Sequence, residues 1–202
     1  MYPIFLLTYT ILGGGIKYID DAFDRDIFSK KTAYILSPIL AIIGVYCMII
    51  NPISATILLA ILAGVLIKGK IDNLAFISAF ILVILLSVGL GIEFLIIPLI
   101  LLSAAAMIDE VGNDFIDSIK DKLDEEKITN KFAIYFFGHR WVLKIAILFL
   151  VIANIVPLYF FFAMVLFDYT YVAVGILGKI KSEDIKITHT PSVISKIACI
   201  FK

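Results

Sequence analysis

Seven apolar runs of 15 to 21 residues recur along this chain of 202 residues, at Tyr2–Ile16, Ala33–Ile50, Pro52–Ile67, Leu74–Leu90, Ile92–Ile108, Trp141–Ile155 and Pro157–Leu177. A helix crosses a bilayer with roughly 17–25 mostly apolar residues, so each run is a candidate span. A soluble core does not absorb so much apolar surface: hydrophobic residues make up 62% of the chain and mean hydropathy is +1.08, against roughly 45–50% apolar residues in an ordinary soluble domain. The expected fold is all-α, a polytopic membrane bundle of about seven transmembrane helices. It forms one domain over residues 1–177, followed by a tail over residues 178–202.

Short punctuation separates several runs: Asn51-Pro52, Gly89-Leu90-Gly91, and Asn154 through Pro157. Such residues turn a chain tightly at a membrane face. The longer polar connections cover residues 17–32, 68–73 and 109–140. Threading the runs through a bilayer puts these connections and the tail on one side, where they hold 16 of the 17 basic residues. The remaining one, Lys144, lies just inside a run, and the opposite side holds none. By the positive-inside rule the loops and C-terminus are then cytoplasmic and the N-terminus external. High Ile and Lys usage points to a prokaryotic plasma membrane. Met1–Leu12 lacks the basic start and small-residue cleavage pattern of a secretory signal, so it reads as a first span. From Ser192 onward the tail mixes apolar residues with lysines, which reads equally as a short amphipathic surface helix or as a disordered tail.

A net charge of zero, 17 basic against 17 acidic residues, argues against nucleic acid as a partner, because phosphate-backbone binding is driven by positive charge. Cys47 sits in an apolar run and Cys199 in the tail, which suggests neither a disulfide nor a thiolate metal site. No P-loop, zinc-spaced His/Cys set or Gly-x-Ser-x-Gly elbow is present. The Asp-Gly and Ala-Arg pattern of the CDP-alcohol phosphotransferases is missing too.

The chemistry-bearing residues cluster at two run ends. Asp20, Asp21, Asp24 and Asp26 follow Gly13-Gly14-Gly15. On a helix Asp20 and Asp24, and Asp21 and Asp24, project to one side. Converging carboxylates of this kind suit Mg²⁺, which takes one or two of them, keeps waters, and fills its shell with phosphate oxygens. A solvated acidic loop partnered by Arg25, Lys30 and Lys31 is the plainer alternative. The second cluster has Asp109, Asn113, Asp117 and Asp121 at four-residue steps, flanked by Glu110 and Asp114. Asp109 and Glu110 adjoin the apolar run ending at Ile108, where an unpaired carboxylate is costly. Between the clusters, Lys68 and Lys70 mark topology or neutralise a leaving diphosphate. His139-Arg140 ahead of Trp141 offers a further cationic contact or, as the commoner use, an interfacial anchor.

These residues resemble the UbiA-type membrane prenyltransferases. Asp20-Asp21-Ala22-Phe23-Asp24 is similar to the family's first motif, Asn-Asp-x-x-Asp-x-x-x-Asp, with Asp20 at the Asn position and Phe28 at the last Asp. Asp109 through Asp117, with Asp121, resembles the second motif, and Lys68-Gly69-Lys70 the basic pair on an intervening loop. Four spans separate the motifs, as in the family, and the chain resembles a shortened member of a nine-helix fold. The resemblance implies Mg²⁺ held by Asp20, Asp21, Asp24, Asp109, Asp114 and Asp117. It puts the diphosphate of a polyprenyl donor against Lys68, Lys70, Arg25 and Asn113, with Asp26, Glu110, Asp121 and Arg140 as further contacts. The implied reaction ionises an allylic diphosphate in an apolar cavity and transfers the prenyl group to an aromatic or lipid acceptor. A non-catalytic membrane scaffold of the same fold is one alternative; the other is a cation or small-solute transporter, which needs acids deep within spans.

Overall fold

The computed structural model of the chain describes residues 2–67, 69, 73–119 and 128–189. It has eight helices and no strand among the described residues: α1 (Tyr2–Asp24), α2 (Lys30–Ile50), α3 (Pro52–Ile67), α4 (Leu74–Gly89), α5 (Ile96–Ile119), α6 (Ile128–Gly138), α7 (Trp141–Ile152) and α8 (Leu158–His189). Two asparagines act as helix starters, Asn51 from the turn signals and Asn73 at the end of a polar connection. The Asn51 carboxamide accepts the backbone N–H groups of Ile53 (2.8 Å) and Ser54 (3.3 Å), ahead of Pro52 in the first turn of α3. Asn73 does the same for Phe76 at the start of α4 (2.9 Å). Both satisfy donors that have no partner within their own helix. The extended link before α5 is held by Leu95 N–H on the Thr56 hydroxyl (2.9 Å).

Among the described residues three helical stretches are long and apolar enough to cross a membrane: Lys30–Ile50, Ile96–Ile116 and Leu158–Lys181. A fourth arises if α6 and α7, bent by 70° at the break between them, count as one broken span. The helices α3 and α4 are apolar but have 16 residues each, which at 1.5 Å per residue is about 24 Å, short of a hydrocarbon core of about 30 Å. Helical structure also continues past the expected run ends. α1 reaches Asp24, α5 reaches Ile119, and α6 occupies residues that read as loop. The tail from Ser192 lies outside the described residues.

Six helices close a ring: α1 packs on α8 and α2, α2 on α3, α3 on α5, α5 on α7, and α7 back on α8. α4 lies against α2, and α6 against α5 and α7. Small residues bring the backbones close where the ring is tightest, the usual device for helices that meet in lipid. A Cβ on Gly13 would come 2.0 Å from the Phe167 carbonyl oxygen, and one on Gly64 would come 2.8 Å from the Ala106 Cβ. The Thr170 hydroxyl donates to the Thr10 carbonyl across the same α1–α8 seam (2.8 Å). Outward faces carry exposed Ile35, Ile42 and Ile49 on α2 and Ile97, Ile100 and Ile108 on α5. An exposed stripe of large aliphatic side chains is a lipid-facing surface rather than a solvated one.

Candidate functional site

Within the ring lies a cavity of about 600 Å³ with an apolar body and a polar head. The head takes Asp20 and Asp24 from α1; Glu110, Asn113 and Asp114 from α5; Gly138, His139 and Arg140 from the α6–α7 turn; and Asp168 and Tyr171 from α8. Two acidic clusters almost ninety residues apart in sequence thus share one cavity. Its walls are apolar: α1 contributes Leu12 and Ile16, α2 Leu40 and Met48, and α4 Phe76 and Phe80.

The ion pairs explain how the head is held. Lys17 bridges Asp20 (2.7 Å) and Asp21 (3.0 Å) on its own helix. The Tyr171 hydroxyl donates to Asp20 Oδ2 (3.1 Å), tying α8 to α1. Arg140 pairs with Glu110 (2.8 Å) and lies 4.7 Å over the Tyr171 ring, while the Lys17 ammonium sits 5.0 Å from that ring. One aromatic ring therefore carries two cations, each with its own carboxylate, an arrangement that desolvated cation–π contacts stabilise. Arg140 has left-handed backbone, φ 48°, at the bend between α6 and α7. A non-glycine residue held in that region stores about 1–3 kcal/mol, the kind of strain that collects at functional sites. Behind the head, Lys144 pairs with Asp168, and both side chains are buried.

Helix rotation sorts the expected ligands. Asp20, Asp24, Asn113 and Asp114 line the cavity, and so do Glu110 and Arg140, expected only as further contacts. Asp21 does not line it: the side chain is fully buried between Lys17, Arg25 (3.6 Å) and Gly178 of α8. Asp109, expected as a metal ligand, does not line the cavity either. Its two oxygens accept the N–H groups of Val142 (3.0 Å) and Leu143 (2.7 Å), capping α7, whose own N-cap residue, Arg140, provides no side-chain bond. Asp26 is exposed on the turn after α1, paired with Lys30 (2.5 Å), and Arg25 is half-exposed beside Asp21. Neither lines the cavity. Lys68, Lys70 and Asp121 lie outside the described residues, as does the side chain of Asp117.

Lys17, Tyr171 and Asp168 were not expected in the site. The only sequence signal was for Asp168, an acid within an apolar run; a tyrosine in a chain with 13% aromatic residues has none. The cap gives Asp109 a distinct signature. Asp109→Ala should cost about 1–2 kcal/mol of stability, the upper range for a lost N-cap, seen as a lower midpoint of thermal unfolding in detergent. An unchanged midpoint would show that the cap contributes little.

No protein-family model matches the chain, and no curated protein or solved structure matches it.

Proposed function

We propose that this chain is a UbiA-like membrane prenyltransferase that binds an allylic prenyl diphosphate with Mg²⁺ at the head of the ring cavity. The observation that carries the reading is the convergence of both acidic clusters on one head above an apolar body. That shape matches an amphiphile with a highly charged end and a hydrocarbon tail. Charge supports the divalent cation. Five carboxylates face the cavity, against Lys17 and Arg140, with Lys144 behind Asp168. A diphosphate entering an acidic head needs cations to bridge the two. Mg²⁺ keeps waters and leans on substrate phosphates rather than an all-protein cage. The donor set is all oxygen, the ligand type Mg²⁺ prefers.

In this reading Asp20 and Asp24 on one side, and Asp114 with Asn113 on the other, would hold Mg²⁺, which when bound would supply charge neutralisation for a leaving diphosphate. Lys17 and Arg140 keep the carboxylates oriented through the Tyr171 platform, and the apolar walls exclude water from the reactive carbon. We take the seven runs as seven membrane passes, α3, α4 and α7 being short ones, with the basic loops and the C-terminus cytoplasmic. The acceptor is an aromatic ring or a lipid hydroxyl. Cation transport would rest on Asp168, the acid set within a span, and that carboxylate is engaged by Lys144.

The test is binding of farnesyl diphosphate to the purified protein with and without Mg²⁺. Binding is expected to require Mg²⁺ and to weaken at least tenfold, about 1.4 kcal/mol or more, in both Asp24→Ala and Asp114→Ala. Equal binding by the wild type and both variants would refute the site.

A further inference from the structure

The cavity has a floor, and its depth can be read along the helices. The residues that line the cavity farthest from its polar head are Leu12 on α1, Met48 on α2, Leu58 on α3 and Val83 on α4. Leu12 reaches within 4.0 Å of the Cβ position of Gly44, one turn before Met48, and the Met48 sulfur accepts from the Ser87 hydroxyl at 3.8 Å, one turn beyond Val83, so Met48 lies deepest. Below Leu12, Tyr9 is wholly buried, and its hydroxyl bonds Ser54 (3.2 Å), linking α1 to α3. Leu12, Met48, Leu58 and Val83 are themselves buried.

From Asp20 to Leu12 is eight residues and from Ser37 to Met48 eleven, so at 1.5 Å per residue the apolar body is about 12–16 Å deep. An isoprene unit adds four carbon–carbon bonds of about 1.5 Å, a zigzag of about 5 Å along the chain. The body therefore accommodates two to three isoprene units.

We infer that the floor made by Leu12, Met48, Leu58 and Val83 is a length gauge that selects geranyl and farnesyl diphosphates, of ten and fifteen carbons, over longer prenyl donors. The inference rests on the proposed diphosphate site and adds the substrate class to it. Met48 is the adjustable element. Its unbranched side chain fills the end of the body, and shortening or enlarging it moves the floor.

The experiment measures Mg²⁺-dependent binding of geranyl, farnesyl, geranylgeranyl and longer polyprenyl diphosphates to the full-length protein in detergent. Farnesyl diphosphate should bind tightest. Geranylgeranyl diphosphate should bind about tenfold weaker or worse, because its last unit finds no apolar surface to bury against. Met48→Ala should raise the relative affinity for geranylgeranyl diphosphate, and Met48→Phe should shift the preference to geranyl diphosphate. Val83→Ala removes less volume from the same floor and should move the preference the same way as Met48→Ala, should that variant not fold. Equal, Mg²⁺-dependent binding of all lengths would mean that the tail leaves the cavity sideways, overturning the gauge while the diphosphate site stands. An unaltered length preference in Met48→Phe and Val83→Ala would also overturn it. No binding at any length would overturn both.

Discussion

Lys144→Met is expected to destabilise the folded protein by about 3–5 kcal/mol, the range for removing one partner of a buried ion pair. Lys144 and Asp168 are both about 95% buried, on α7 and α8, and they pair directly. Without the ammonium, the Asp168 carboxylate is left inside a bundle that reads as lying in lipid. Lys144 also donates to the His139 carbonyl at the α6–α7 bend, so the same change loosens the turn that presents Arg140 to the cavity. The double variant Lys144→Met, Asp168→Leu should recover most of the loss, because apolar side chains of similar size are often as stable as a buried pair. The thiol of Cys47, buried at the bundle core, offers the readout. In a Cys199→Ser background, its labelling rate in detergent reports opening of the bundle. A Lys144→Met single variant that labels as slowly as the parent would show that the pair contributes little.

Gly13→Val should have the second large effect. A Cβ at this position would overlap the Phe167 carbonyl oxygen at 2.0 Å and its carbon at 2.7 Å, both backbone atoms that cannot rotate away. The helices α1 and α8 must therefore separate along the most extensive contact in the bundle, and with it goes the Thr170 bond to the Thr10 carbonyl. A cost near about 3 kcal/mol, the top of the usual range for overpacking, is expected in the same labelling assay. Because Asp20 sits on α1 and Tyr171 on α8, separation also breaks the bond between them, and Mg²⁺-dependent diphosphate binding should fall with stability. Gly14→Ala makes a useful contrast. Its Cβ would meet the Val174 methyl at 3.4 Å and the Thr170 Cβ at 3.7 Å, ordinary van der Waals contacts, and helix propensity favours alanine by about 1 kcal/mol. Comparable losses in the two variants would show that the α1–α8 seam is not set by backbone contact at Gly13.

Much of the helical organisation was legible from local chemistry. Apolar runs, and the Asn51-Pro52 turn, are short-range signals that survive any tertiary arrangement. α6 was not legible. Its eleven residues mix Lys131, Asn130 and Thr129 with Phe132, Tyr135 and Phe136, so the stretch reads as polar loop; its helicity comes with packing on α5 and α7. The Lys144–Asp168 pair was equally hidden, since nothing local couples two residues on separate helices. Lys17 was counted as a topology marker, though it is the cation that holds Asp20 and Asp21 together.

For the second acidic cluster the gap has a definite cause. Four-residue spacing singled out Asp109, Asn113, Asp117 and Asp121 as one stripe, whereas the cavity receives Glu110, Asn113 and Asp114. The two sets share Asn113, and at 3.6 residues per turn the centres of the two faces differ by only about 30°. Which of them faces inward depends on how α5 seats against its neighbours. That seating is set by Ala106 against Gly64 on α3 and Gly112 against Phe137 on α6, where only small residues permit the approach.

Composition and the spacing of apolar and charged residues thus determined by themselves that this is a helical chain with acidic clusters at the ends of its apolar runs. Both properties follow from the solvation of single segments. Tertiary structure decided which carboxylates meet in one cavity, which are consumed by a cap or an ion pair, and how deep the apolar body extends. Those outcomes depend on the rotation and closure of helices distant in sequence.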